Sequence, residues 1–193
     1  MKKNSFNILT DIARKAIIEK LTGQNLLDIE YLIKKYPYLL EKRAVFVTLN
    51  KKADNNKAPQ LRGCIGSILP KRTLLEDTIH NARAAAFDDP RFPGLSIEEI
   101  DNITIEISIL SIPEKIEYNT ITELKNIIIP FKHGVILQKD WHRATFLPSV
   151  WEKLPDFEIF FEHLCQKAGL MKKCIYNHPD IEIYTVEKIA DTI

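Results

Sequence analysis

The chain has little of what would announce a specialised architecture. Its 193 residues include only six glycines, three cysteines, two methionines and two tryptophans. Glycine-rich phosphate loops are missing, since neither G-x-G-x-x-G nor a Walker A sequence occurs; G-x-S-x-G and H-E-x-x-H are absent as well. The cysteines are odd in number and form no CxxC. Neither a disulfide framework nor a zinc ribbon is therefore expected, and a reducing cytoplasm is the expected location. No apolar run approaches the ~20 residues of a membrane helix. Asp11 and Arg14 fall where a secretion signal would need its apolar core. A net charge of +1, from 27 basic and 26 acidic side chains, provides no basic surface for nucleic acid or an anionic membrane. What is present, 45% hydrophobic and 27% charged residues, is the composition of a globular protein that buries a core.

Periodicity supplies the elements. Ile8, Ile12 and Ala16 form one row and Leu9, Ala13, Ile17 and Leu21 the next, which predicts a helix over 8–21 stopped by Gly23. A short helix over 27–34 ends before Tyr36-Pro37. Residues 44–49 and 61–68 read as strands joined through the polar loop 51–60. Thr73 and Glu76 carry the capping-box spacing, opening a helix that ends near Asp88 or Asp89 because Pro90 follows. Ser96 and Glu99 repeat the signal for one turn. The alternation Ile103, Ile105, Ile107, Ile109 predicts a strand with one buried face. Residues 134–138 and 143–147 read as a hairpin, Asp156 as the cap of a helix closed by Gly169, and 181–185 as a last strand. Hairpins dominate and no βαβ repeat appears, so the fold class is α+β, with a largely antiparallel or mixed sheet flanked by helices.

Three segments carry chemistry. In Leu61-Arg-Gly-Cys-Ile-Gly66, strand alternation puts Arg62 and Cys64 on one face, with Leu61 and Ile65 on the other. Gly63 leaves room beside the thiol for a ligand or another backbone. A guanidinium beside a thiol favours the nucleophilic thiolate; a buried, purely structural cysteine is the competing reading. In Asp88-Asp-Pro-Arg-Phe-Pro-Gly94 a stiff turn aims Arg91 at an anion, or else Asp88, Asp89 and Arg91 satisfy backbone groups at the helix end. His133, preceding a strand, is the candidate base for Cys64, whereas His80 and His142 read as solvated or structural. His163, Cys165, Cys174 and His178 have zinc-ligand chemistry, but two residues apart on a helix point in nearly opposite directions, so no metal is expected.

These segments resemble a known family. Leu61–Gly66 is similar to the hallmark hexapeptide of the AMMECR domain family, and Asp89-Pro-Arg-Phe-Pro93 to its second signature. Ile103–Leu110, His133-Gly134, Phe146-Leu-Pro148 and Leu164–Leu170 resemble later blocks in the same order. The resemblance covers about 44–189 of a single domain spanning 1–193, with the N-terminal helices at 8–34 packing on it. It departs from the family in a long polar insert before Leu61. The resemblance implies a larger and a smaller subdomain around a cleft walled by Arg62, Gly63, Cys64 and Gly66. Arg91, Phe92 and His133 are further candidates, and Thr145, Pro148 and Lys167 match later positions. It supplies no reaction, cofactor or named small-molecule ligand. It does imply a pathway shared with Memo-like and radical SAM proteins; this chain has no CxxxCxxC, so a cluster would reside in the partner. Two functions stay open: a cleft-thiol enzyme or ligand-binding protein using Cys64, His133, Arg62 and Arg91, or a non-catalytic adaptor in which Cys64 is buried and structural.

Overall fold

The apolar rows of the N-terminal segment fold into α1 (Lys3–Thr22), whose Leu9, Ile12, Ala13 and Ile17 are fully buried. Gly23 stops it at φ +74°, donating its N–H to Glu19 O at 2.8 Å, the left-handed cap that glycine adopts without strain. The structure is a computed structural model that describes residues 3–52 and 59–191. Most of the loop predicted at 51–60, including the insert, lies outside the described residues.

The chain divides into two units, Met1–Ile109 with Glu187–Ile193, and Leu110–Val186. In the first, α2 (Ile29–Lys35) is capped by Asp28 and followed by a 3-10 turn at Pro37–Leu40. The strands β1 (Val45–Lys51) and β2 (Gln60–Gly66) pair antiparallel, with Lys51 opposite Gln60. Next comes α3 (Leu74–Phe87), which opens with the predicted capping box: Glu76 N–H donates to Thr73 Oγ1, and Thr73 N–H to the Glu76 carboxylate. A 3-10 turn at Ile97–Asn102 leads into β3 (Ile103–Leu110), which is antiparallel to β1. Ile103, Ile105, Ile107 and Ile109 are all buried, as the alternation requires.

The second unit holds β4 (Glu114–Ile116), α4 (Ile121–Ile127), the hairpin β5 (Gly134–Lys139) and β6 (His142–Phe146), α5 (Phe157–Lys167) and β7 (Asp180–Tyr184). The chain then enters β8 (Val186–Ala190). The strand orders are β2-β1-β3-β8 and β4-β7-β5-β6, so the α+β expectation is met by two four-stranded sheets. In the first unit one core joins α1, α3 and the sheet; Arg14 secures α1 by donating to Ile100 O at 2.7 Å and to Asp191 at 2.6 Å. The second core centres on Trp151, stacked on Phe160 at 3.6 Å between ring centroids.

The cysteine count misleads. Cys165 of α5 and Cys174 of the following 3-10 turn form a disulfide with Cα atoms 5.8 Å apart, leaving Cys64 free. An odd total conceals one pair and one free thiol. The expectation of no disulfide is therefore corrected. No helix among the described residues is long and apolar enough to cross a membrane.

Candidate functional site

The register of β2 changes the geometry expected at the hallmark segment. Cys64 lies opposite Thr48 and Gly63 opposite Leu49, but Leu61 opposes Asn50, so Arg62 is an extra residue in a β-bulge. Thr48 and Asn50 are two apart on β1 and share a face. Their partners Cys64 and Leu61 consequently share that face, while Gly63 and Ile65 turn toward the core with Leu49 and Val47. The expected grouping of Arg62 with Cys64, against Leu61 and Ile65, is thus overturned: the bulge breaks the two-residue period on which it rested.

Arg62 is only 4% exposed, and its guanidinium is committed inside the unit. Nε and Nη2 fork onto the Glu99 carboxylate at 2.8 and 2.9 Å, and Nη2 also reaches Gly94 O at 3.3 Å. Nη1 is buried without a hydrogen-bond partner among the described residues. Arg62's hydrogen bonds hold Glu99 at about 2, far below the ordinary glutamate value. The guanidinium beside Cys64 is instead that of Arg91, more than half exposed, whose Nη2 lies 3.4 Å from Cys64 O.

Asp89 organises this arrangement. Its buried carboxylate accepts Cys64 N–H at 2.8 Å and Arg91 N–H at 3.1 Å, and takes Arg91 Nε and Nη2 at 2.9 and 2.7 Å. Arg91's hydrogen bonds hold Asp89 well below the usual carboxylate range despite burial. Because β2 is the outer strand of its sheet, the N–H and C=O of Cys64 point away from β1. Asp89 accepts from one and Arg91 donates to the other, so the ion pair occupies a place a further strand would take. Cys64 is half-buried, and its sulfur accepts the Thr48 hydroxyl at 3.3 Å. The half-buried Phe92 ring lies near both guanidinium groups, 5.9 Å from Arg62 and 5.5 Å from Arg91.

The motif glycines are set by packing. A Cβ on Gly63 would overlap the Ala85 carbonyl of α3, and one on Gly66 would overlap the Phe46 ring. The room left by Gly63 is taken by another backbone, one of the two occupants the sequence allowed.

The other candidates belong to the second unit. His133 is buried; its Nδ1 accepts Ile129 N–H at 3.2 Å and its carbonyl takes Trp151 Nε1 at 2.9 Å. Occupied as an acceptor at Nδ1, the neutral ring carries its proton on Nε2. Desolvation lowers its pKa, with Lys132 adding in the same direction. Thr145 Oγ1 donates to Val135 O at 2.9 Å and lies 2.9 Å from the Tyr184 hydroxyl, whose pKa burial pushes up to about 12. Lys167 Nζ donates to Thr145 O at 2.9 Å and sits 5.1 Å from the Phe146 ring, and desolvation lowers its pKa. Pro148 opens a 3-10 turn, Pro148–Glu152, that places Trp151 in the core. Hydrogen bonds thus link Thr145 with Lys167, while Cys64 and Arg91 meet in the first unit. Sequence reasoning missed Thr48 and Glu99 as partners. It placed Asp89 in the second signature and gave it the role of a helix-end group, although its contact with Cys64 spans 25 residues.

Comparison with known proteins agrees with this architecture. A family model described as AMMECR1 matches residues 10–189. A protein of Methanothermobacter thermautotrophicus is 36% identical over 186 residues, covering 95% of this chain and 92% of its own. Protein PF1979 of Pyrococcus furiosus is 40% identical over 184 residues, with 91% and 82% covered. The crystal structure of the uncharacterized protein PH0010 from Pyrococcus horikoshii superposes with a TM-score of 0.85 at 36% identity, covering 99% of this chain and 93% of that one. The chain belongs to the AMMECR1 family.

Proposed function

We propose that the first unit carries a thiol site for a small anionic electrophile, with Cys64 as nucleophile and Arg91 as the group that receives the anion. The observation that carries this reading is the setting of Cys64, a half-buried residue whose sulfur accepts the Thr48 hydroxyl on a strand whose backbone is pinned by Asp89 and Arg91. The exposed guanidinium offers donors to a carboxylate or phosphate, and the fixed backbone keeps the sulfur in one position. Arg62 then serves as a positioning residue through Glu99, and Phe92 as the apolar side of the site. The shared pathway with Memo-like and radical SAM proteins is part of the same proposal, tested by co-purification with those partners.

Paired alkylating reagents test the site. Iodoacetate is anionic and iodoacetamide neutral, while Cys165 and Cys174 are oxidised and silent. Cys64 in the folded chain should react with both faster than in the urea-unfolded chain at pH 7. The iodoacetate-to-iodoacetamide ratio should fall when Arg91 becomes Gln and recover in Arg91→Lys. A folded-state rate below the unfolded one, with a ratio indifferent to Arg91, would eliminate the nucleophile.

A second reading is favoured by the motif's packing. Gly63 against Ala85, and Asp89 with Arg91 along the β2 edge, account for the segment as a structural clamp on a non-catalytic adaptor. In that case Cys64→Ser binds every partner as the wild type does.

A further inference from the structure

We infer that the second unit holds a separate pocket for a single-ring aromatic carboxylate, away from the hallmark residues. A cavity of about 120 Å³ opens between α5 and the segment that follows it. Its floor is Ile121, Phe157, Phe161 and Ile175, and its rim carries Lys173 and Tyr176. The Phe157 and Phe161 rings are 4.6 Å apart and tilted by 42°, and both are buried, so the floor is aromatic with only a small part of its surface open. Lys173 and Ile175 flank Cys174, which is bonded to Cys165 of α5, so the disulfide holds the outer wall in place.

Size and charge define the ligand. An enclosed apolar cavity of ~150 Å³ accepts benzene. A slightly smaller cavity that opens at one side suits one ring with its substituent directed outward. Two glutamates also line the cavity, and each has a cation: Glu158 pairs with Lys125 at 3.0 Å and Glu162 with Lys172 at 4.0 Å. Lys173 has no ion pair among the described residues and is the rim charge left for an anion. The Tyr176 side chain, on an exposed residue at the same rim, supplies a hydroxyl donor.

Titration of the full oxidised chain with benzoate and with neutral benzyl alcohol, followed by amide shifts and ligand-observed saturation transfer, tests the pocket. Benzoate should shift the amides of Phe161, Ile175 and Tyr176 and bind more tightly than benzyl alcohol. Lys173→Gln should weaken benzoate by ~3–5-fold and leave benzyl alcohol unchanged, the scale of one exposed charge pair. Ile175→Trp, which fills the cavity, should abolish both. Should that variant fail to fold, Ile175→Ala provides the opposite readout, with 4-methylbenzoate gaining over benzoate. Absence of shifts at those amides, benzoate binding that survives Ile175→Trp, or equal affinity for the charged and neutral rings would each overturn the assignment. Alkylation of Cys64 is unaffected by any of these variants, so the two sites stand or fall separately.

Discussion

Replacing Glu99 by Gln isolates the energetic role of the motif arginine. Glu99 receives the full fork of Arg62, whose side chain is 4% exposed against 30% for the carboxylate. A carboxyl held at about 2 instead of 4.5 contributes ~3 kcal/mol to folding at neutral pH, at ~1.4 kcal/mol per tenfold change in proton affinity. Partial exposure screens the pair and reduces that figure to ~2 kcal/mol. Glu99→Gln keeps the shape and one acceptor but leaves the buried guanidinium without a counter-charge, a change that costs ~3–5 kcal/mol for fully buried pairs. The expected loss at pH 7 is therefore ~2–4 kcal/mol.

The pH dependence distinguishes charge from packing. A folded-state pKa below the unfolded one contributes stability above the unfolded value, and that stability is lost as pH falls through the folded value. The difference between wild type and Glu99→Gln should be constant above about pH 5 and shrink steadily below it. It should be nearly gone at about pH 2, where the wild-type carboxyl is itself half protonated. Urea unfolding followed by circular dichroism at closely spaced pH values measures it, and subtracting the two proteins cancels the other titrating groups. A gap that is independent of pH, or one below ~0.5 kcal/mol at pH 7, would refute the assignment of Arg62 to an internal ion pair. Arg62 would then be available to a ligand after all.

Gly63→Ala pushes a methyl into the Ala85 carbonyl and should destabilise the chain by ~1–3 kcal/mol, read as a fall in urea midpoint with the slope unchanged. Cys165→Ser, or reduction of the disulfide, frees a loop whose ends are nine residues apart and should lower unfolding stability by ~2.6 kcal/mol in the chain-entropy account; equal unfolding curves with and without reductant would contradict it. His133 has a folded-state pKa below the ordinary 6.5, so the unfolded chain takes up its proton first and stability declines as pH drops from about 6.5 toward the folded value. His133→Gln should flatten that part of the profile, and ring nitrogen shifts should report the Nε2–H tautomer.

Local signals made most of the fold readable. The capping box at Thr73 and Glu76, the isoleucine alternation of β3 and the interval from Asp156 to Gly169 are each set by interactions within a few residues. Two short elements, α4 and β4, and the closing strand β8 escaped, although one had a signal: Thr120 and Glu123 have the same capping spacing as Thr73 and Glu76, and Thr120 caps α4 with a 3.1 Å bond from Glu123 N–H. β4 is only three residues long and offers no period to detect. Around the hallmark segment some neighbours were legible, but their orientation was not. Cys64, Arg91 and Phe92 do gather, yet the bulge at Arg62 depends on pairing with β1, and no pattern within 61–66 reveals it. The partnership of Asp89 with Cys64 has the same origin, since an acidic residue beside a proline reads locally as a helix end.

That pairing also ties the two signature segments of this chain to one another. An outer strand exposes outward N–H and C=O groups that other chains can extend. At Cys64 both groups are taken, one by a carboxylate and the other by a guanidinium, from a single short turn after α3. The turn can reach only because α3 packs tightly on the strand, and it packs tightly because Gly63 has no side chain to hold Ala85 away. Glycine, aspartate and arginine are therefore one device with one effect, a strand held still at the residue that bears the sulfur. Asp89→Asn leaves the packing but weakens the three links to Arg91, so it should loosen the backbone at Cys64 without unfolding the unit. Faster hydrogen exchange at the Cys64 amide, with exchange in β3 unchanged, is the expected signature. Unchanged protection at Cys64 would mean that the strand is rigid without its clamp.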